Sequence, residues 1–193
     1  MLSDYLKKNS RKDHDSIENS IDLLKFSTDL NQYTNLIKAF YGYYISVEKS
    51  LLPFEKDFSK IGIDLIERSK INLLKDDLHK CGLRDEEITN LPVCTKIPKV
   101  TDLSEAMGVL YVLEGSTLGG QIITRTLSES SILKNDGERG KFFNAYGTRT
   151  REMWMSFKTS LDTLPEEDSE RVLGTAKNTF NTMESWLAER LTP

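Results

Sequence analysis

The residues of this chain that could do chemistry begin near its N-terminus, in a stripe of four polar side chains: Lys7, Arg11, His14 and Glu18. Spaced three or four residues apart, they would share one face of a helix. A histidine with a carboxylate one turn later can donate one ring N–H to it and offer its other nitrogen to a metal. The two cations could hold acidic groups of the same ligand. An ordinary solvated helix face explains the same spacing, and both interpretations stay open here.

A second informative segment is the apolar stretch 108–127, GVLYVLEGSTLGGQIITRTL. On a helix, Gly115 and Gly119 lie one turn apart with Ser116 and Gly120 beside them, which leaves one face nearly free of side chains. Each interior glycine costs about 1 kcal/mol relative to alanine, so the pattern indicates close approach to something flat or bulky. A tight helix crossing and a strand followed by a phosphate-binding loop remain alternatives, although the Lys-Ser/Thr of a phosphate loop is missing.

The composition limits the classes of protein to which the chain can belong. Its 193 residues, 38% of them hydrophobic, predict a single soluble domain over 1–193. A net charge of -4 argues against nucleic-acid binding. Glu114 and Arg125 interrupt the apolar segment and argue against a membrane span. Because no secretory leader is visible and Cys81 and Cys94 form no CxxC motif, we expect reduced thiols and a cytoplasmic location.

Helical periodicity throughout the chain predicts an all-α protein of seven or eight helices without a sheet. A capping pair, Asp102 and Glu105, marks the start of the glycine-bearing helix. The expected helices cover 2–24 with a break near Ser10, 31–52, 64–80, 103–127, a short segment near 142–146, 148–161, and a last helix from Pro165 to 191. We expect the longest loop at 84–101, because this segment contains two prolines, and a turn at 135–137.

The motifs described above resemble those of one family. The residues from Leu6 to Glu18, with the pattern L-K-x-x-S-x-x-x-H-x-x-x-E, resemble the proximal-helix motif of heme oxygenases, and LYVLEGSTLGG resembles their distal helix. The motifs resemble those of bacterial members in particular, including the members that accompany bacteriophytochromes. The resemblance implies an all-α, multihelical fold in which heme is sandwiched between an N-terminal proximal helix and a glycine-bent distal helix.

On the proximal side, the resemblance implies that His14 is the ligand of the heme iron. Glu18 matches the acid that hydrogen-bonds the ring nitrogen turned away from the iron. Three further residues match positions near the heme propionates: Lys7, Arg11 and Tyr111.

On the distal side, three glycines match those whose backbone lies against the macrocycle: Gly115, Gly119 and Gly120. Ser116 stands where mammalian-type members carry an aspartate that organises distal water. Phe143 and Gly147 stand where those members carry basic residues. The catalytic set implied by the resemblance is His14, Gly115, Ser116 and Gly119.

The resemblance implies an enzyme that uses heme as both substrate and cofactor and cleaves it with O2 to biliverdin, carbon monoxide and ferrous iron. Electrons would come from a ferredoxin-type or reductase partner, and the protein would be a monomer or weak dimer. Three other functions stay open: a non-catalytic heme carrier or sensor, a thiaminase-like enzyme that needs Cys81 or Cys94, and a helical interaction module.

Overall fold

The computed structural model describes residues 1–20, 29–129 and 139–191, and all regular structure in these ranges is helical. The α-helices in chain order are α1 (Leu2–Asn9), α2 (Arg11–Ser20), α3 (Leu30–Leu51), α4 (Glu55–Lys60), α5 (Leu65–Arg68), α6 (Ile71–Lys80), α7 (Asp85–Thr89), α8 (Leu103–Glu129), α9 (Lys141–Asn144), α10 (Thr150–Leu161) and α11 (Ser169–Leu191). Short 3₁₀ turns at Leu52–Phe54, Gly147–Arg149 and Glu166–Asp168 precede α4, α10 and α11. The all-α prediction is confirmed, but the described residues form eleven α-helices instead of seven or eight. The helix predicted over 64–80 is divided into α5 and α6, and the short helices α4 and α7 were not predicted.

Helix α8 lies at the centre of the fold. Every residue from Ala106 to Glu114 is buried, and the helix packs mainly against α11, with α9 and α10 also in contact. A Cβ atom added at Gly108 would come closer than 3.0 Å to the carbonyl oxygen of Val172 in α11. A close helix crossing therefore does occur on α8, and Gly108 is the glycine that it requires.

Helix α3 supplies a second part of the core through three fully buried tyrosines. The Tyr43 hydroxyl donates to the carbonyl of Thr179 at 3.0 Å, and the Tyr33 hydroxyl accepts from the backbone of Gly140 at 3.0 Å. Tyr44 lies 3.0 Å from the hydroxyl of Ser116. Each buried hydroxyl thus has a partner, and these bonds connect α3 to α11, α9 and α8.

The helix predicted over 64–80 is interrupted in the structure. Ser69 is extended, with φ -64° and ψ 137°, and separates α5 from α6. Its hydroxyl donates to Glu48 at 2.5 Å, and the backbone N–H of Lys70 donates to the same carboxylate at 2.7 Å. The partly buried carboxylate of Glu48 in α3 accepts these hydrogen bonds from the interrupted segment. Local periodicity does not reveal such a partner, so it failed to predict the break.

The segment 84–101 also differs from its prediction, because it begins with the short helix α7. The predicted break near Ser10 is confirmed: α1 ends at Asn9, α2 begins at Arg11, and the Ser10 hydroxyl donates to the Leu6 carbonyl at 2.8 Å. The predicted turn at 135–137 and the end of the first predicted helix lie outside the described residues. None of the described helices combines the length and apolar character that crossing a membrane requires.

Candidate functional site

A cavity of about 840 Å³ is lined by α1 and α2, by α8 between Tyr111 and Ile123, and by side chains from α3, α9, α10 and α11. Helices α2 and α8 both pack against α11, which places the two sequence motifs on the walls of one space. All nine site residues derived from the sequence line this cavity: Lys7, Arg11, His14, Glu18, Tyr111, Gly115, Ser116, Gly119 and Gly120.

On the α2 wall, the His14 ring is half exposed and has two carboxylates on one side. Its Nδ1 atom lies 3.4 Å from a carboxylate oxygen of Glu18 and 3.6 Å from one of Asp15. The ring also meets Phe180 of α11 edge-on, with 6.0 Å between ring centroids and 79° between planes. Both polar neighbours found among the described residues lie at Nδ1, so this nitrogen can donate while Nε2 keeps a lone pair for a ligand.

Asp15, which was not predicted from the sequence, lies beside the candidate site in contact with His14. Its oxygens accept from the Arg11 guanidinium Nε at 2.8 and 3.0 Å, and this hydrogen bonding holds the pKa of Asp15 below its ordinary value. Asp15 therefore remains a carboxylate between Arg11 and His14. Adjacent residues point in different directions on a helix, so a search at turn spacing passes over the residue next to the histidine.

On the α8 wall, the glycines fall into two kinds. A Cβ atom at Gly119 would meet nothing within 4 Å, and one at Gly115 would meet only the Trp154 ring, at 3.9 Å. A Cβ at Gly120 would come closer than 3.0 Å to the carbonyl oxygen of Phe143 in α9. Neither Gly115 nor Gly119 therefore serves a helix crossing, whereas Gly120 lines the cavity and is also required for packing.

Ser116 connects this wall to α3. Its hydroxyl donates to the Leu113 carbonyl at 2.8 Å, and the Tyr44 hydroxyl lies 3.0 Å from the Ser116 oxygen. Since the Ser116 proton is directed at Leu113, Tyr44 is the donor of the pair. Burial raises the pKa of Tyr44 above its ordinary value, which keeps this hydroxyl protonated. Tyr44 was not among the site residues predicted from the sequence. The available signal was that the hydroxyl of a buried tyrosine needs a hydrogen-bond partner.

The remaining lining is largely apolar and aromatic. Tyr111 lies 5.8 Å from Trp154 between ring centroids, and two large apolar side chains of α8, Leu118 and Ile122, are 41% and 68% exposed. Phe142 of α9 is held by the buried carboxylate of Asp77, which accepts from its backbone N–H at 2.9 Å. Lys158 of α10 also lines the cavity and was missed as a site residue.

A family model described as heme oxygenase matches residues 1–189 of the chain. No curated protein sequence gives a significant match.

Solved structures show the same fold over nearly the whole chain. A heme oxygenase from Neisseria meningitidis, solved with NO and CO bound, superposes with a TM-score of 0.80 and 18% identity over 99% of this chain and 92% of its own. The heme oxygenase of Leptospira interrogans gives 0.76 and 18%, covering 97% and 98%. Heme oxygenase-1 of Synechocystis sp. PCC6803, in complex with heme, gives 0.74 and 17%, covering 97% and 91%.

Proposed function

Because the chain belongs to the heme oxygenase family, we propose that it cleaves heme with O2 to biliverdin, carbon monoxide and ferrous iron. Heme would be both substrate and cofactor, and a ferredoxin-type or reductase partner would supply electrons. One observation carries the proposal. A histidine supported by carboxylates and the side-chain-free surface of Gly115 and Gly119 line the same cavity. The relative solved in complex with heme supports the choice of ligand.

The residues that line the cavity fit heme, a flat macrocycle that carries acidic propionate groups on one edge. The volume of about 840 Å³ lies within the range of small-molecule and cofactor sites. Leu118 and Ile122 offer apolar surface, and the open space at Gly115 and Gly119 would be reduced by any side chain. Three cationic side chains that could meet propionates also line the cavity: Lys7, Arg11 and Lys158.

On the proximal side, His14 would hold the iron through Nε2. Glu18 and Asp15 would accept the proton on Nδ1, fix the tautomer and the ring orientation, and increase the basicity of the ligating nitrogen. The edge contact with Phe180 limits rotation of the ring. When bound, the heme supplies an iron centre that binds and activates O2.

On the distal side, the residues of α8 would act through their backbone and one hydroxyl pair. With no side chain at Gly115 or Gly119, the main chain can lie against the macrocycle and leave room for a small ligand. Because the Ser116 proton is donated to Leu113 and the Tyr44 proton to Ser116, this pair would offer a neutral hydroxyl oxygen as a hydrogen-bond acceptor at the edge of that space. They would thus replace the aspartate of mammalian-type members with hydroxyl groups.

The alternatives differ in what the cavity would have to contain. A thiaminase-like enzyme needs a nucleophilic cysteine in its pocket. Neither Cys81 nor Cys94 lines the cavity, so this function has no support among the described residues. A non-catalytic heme carrier would use the same walls and would differ only in the absence of turnover.

The test is to titrate the protein with hemin, record the absorption spectrum, and then supply reductant under O2. We expect a stoichiometric histidine-ligated complex that yields biliverdin. His14→Ala should lose the iron–nitrogen ligation while keeping the fold, because α2 has no buried residue, and added imidazole should restore part of the turnover. His79→Ala is the matched control, since this half-exposed histidine lies on α6 away from the cavity. Binding without turnover would instead indicate a carrier, and an unchanged spectrum in His14→Ala would exclude His14 as the ligand.

A further inference from the structure

Two carboxylates in the described part of the chain are fully buried, and they are stabilised in different ways. Glu114 of α8 is paired with cations, because its oxygens accept from the guanidinium of Arg68 and lie 3.2 Å from Nζ of Lys70. Asp77 of α6 is held instead by N–H and O–H groups that carry no charge. Removing a carboxylate from water is costly unless it is well hydrogen-bonded, so the position of Asp77 needs an explanation.

Asp77 caps a helix to which it does not belong. Helix α9 is preceded by Gly140, which adopts φ 85° and has no side chain that could cap the helix. The first N–H groups of a helix have no partner within it. One oxygen of Asp77 accepts from the backbone N–H of Lys141 at 3.0 Å, and the other accepts from that of Phe142 at 2.9 Å. The carboxylate of α6 thus supplies the cap that α9 lacks.

A third N–H group of this segment reaches Asp77 through Tyr33. The N–H of Gly140 donates to the Tyr33 hydroxyl at 3.0 Å, and that hydroxyl donates to Asp77 in turn. Burial and the negative charge of Asp77 raise the pKa of Tyr33, which keeps the hydroxyl protonated. Burial also raises the pKa of Asp77, and the hydrogen bonds from α9 oppose that change. Asp77 therefore fixes three consecutive residues at the start of α9, either directly or through Tyr33.

Helix α9 connects this carboxylate to the distal side of the cavity. It contacts both α6 and α8, and its residues Phe142 and Phe143 line the cavity. The Phe142 ring meets Tyr44 edge-on, with 5.1 Å between ring centroids and 86° between planes. The carbonyl of Phe143 lies against Gly120, where no side chain would fit. The position of α9 therefore determines what the Tyr44 ring packs against.

We propose that Asp77 is a positioning residue for the distal side of the cavity, which it does not itself line. By fixing the start of α9, its carboxylate holds Phe142 against the Tyr44 ring and keeps the Tyr44 hydroxyl within hydrogen-bonding distance of Ser116. This inference rests on the proposed function, in which the hydroxyl pair borders the space beside the heme.

Asp77→Asn keeps the shape of the side chain but replaces one acceptor oxygen by an NH₂ group, which cannot accept from an N–H of α9. In the chain without heme, we expect amide hydrogen exchange at Lys141 and Phe142 to accelerate by about tenfold or more. The side-chain resonances of Tyr44, observed with ¹³C-labelled tyrosine, should shift in the same sample. Asp76→Asn is the matched control, because Asp76 binds Lys141 through an exposed ion pair at 3.0 Å and leaves the backbone N–H groups untouched.

Measurements with hemin separate positioning from binding. Since Asp77 is not among the groups assigned to bind heme, hemin affinity in Asp77→Asn should change by less than about threefold, whereas turnover should fall by about tenfold or more. The C–O stretching frequency of the ferrous carbonyl complex, which reports the surroundings of the bound ligand, should shift as well. Phe142→Leu keeps the cap of α9 but removes the ring that meets Tyr44, so it should reproduce this shift without faster exchange at α9. Asp76→Asn should change neither turnover nor the frequency.

Faster exchange at α9 with unchanged Tyr44 resonances and normal turnover would overturn the proposal and leave Asp77 as a cap alone. An equal shift of Tyr44 in Asp76→Asn would overturn it too. Should Asp77→Asn fail to fold, Tyr33→Phe repeats the test, because it keeps the ring and removes the hydroxyl between Gly140 and Asp77. This variant should shift the Tyr44 resonances by a smaller amount, and no shift would contradict the proposal.

The resonances of Tyr44 are measured on the chain without heme, so they test the positioning independently of turnover. If the unmodified protein fails to turn over hemin, the proposed function fails. Normal turnover of hemin by Asp77→Asn, with Tyr44 unshifted, removes only the role of Asp77.

Discussion

The two walls of the cavity are built in opposite ways. Helix α2 has no buried residue and presents side chains, with His14 half exposed on its surface. Helix α8 is buried over most of its first half and presents backbone, at Gly115 and Gly119. A wall made of projecting side chains can change its chemistry at little cost to stability. A wall made of backbone is positioned by the core packing behind it. Substitutions on the packed face of α8 should therefore change stability, and substitutions on the open face should change ligand binding.

The largest expected effect lies on the packed face of α8, where we expect Gly108→Ala and Gly120→Ala each to lower the free energy of unfolding by about 1–3 kcal/mol. In both cases the new methyl group would meet a backbone carbonyl that has no rotamer with which to move away. Thermal unfolding should show melting temperatures lower by several degrees. Gly174→Ala is the control, because a Cβ atom there meets nothing within 4 Å and alanine favours the helix. Unchanged melting temperatures in both variants would mean that α8 does not depend on these close contacts.

A smaller effect, confined to the ligand, is expected on the open face of α8. Gly115→Ala and Gly119→Ala should leave the protein without heme as stable as before or slightly more stable, because alanine costs about 1 kcal/mol less in a helix. Hemin should bind about tenfold more weakly, or with an altered spectrum, because the methyl group occupies space beside the macrocycle. Melting temperature and a hemin titration, measured side by side, check this. A lower melting temperature with normal turnover would show that Gly115 and Gly119 serve helix packing, as Gly108 and Gly120 do, and would contradict the distinction between the two faces of α8.

The smallest effect is expected at the cations of α1 and α2, Lys7 and Arg11. Lys7→Ala should weaken hemin binding by a factor corresponding to about 1 kcal/mol or less, since the side chain is exposed. Arg11→Ala should do the same, with an added loss of support for Asp15. Analysis of the biliverdin isomers formed by the double variant should show a changed distribution if these cations orient the propionates. Lys8→Ala is the control, because Lys8 neighbours Lys7 but does not line the cavity. Identical isomers and affinity would remove both cations from the site.

Local patterns in the sequence were sufficient to predict much of the helical structure. The capping pair forms as expected, with the backbone N–H of Glu105 donating to Asp102 at 2.9 Å, and α8 begins at Leu103. Helix α3 also lies within one residue of its predicted bounds. In each case the residues that determine the element are its own neighbours along the chain.

What the sequence did not predict depends on partners that are distant along the chain. Ser69 interrupts a helix because of Glu48, twenty-one residues away. The division of the glycines into two faces depends on backbone atoms of α9 and α11. Tyr44 lines the cavity beside Ser116, its hydrogen-bond partner seventy-two residues later. Composition and periodicity contain no information about contacts between residues that are distant along the chain, so these features could be found only in the three-dimensional structure.

The buried ion pair of Glu114 and Arg68 has a geometric consequence for α8. Consecutive residues on a helix are about 100° apart around its axis, so a small rotation of α8 would turn a different residue toward the cavity. A smooth strip of glycines offers no protrusion to oppose such rotation from its own side. The angular setting of the helix must therefore be fixed from behind. The ion pairs of Glu114 oppose rotation of α8 about its axis, because turning Glu114 away from Arg68 and Lys70 would leave charges buried without partners. The buried ion pairs of Glu114 with Arg68 and Lys70 thereby keep the side-chain-free surface of Gly115 and Gly119 turned toward the cavity.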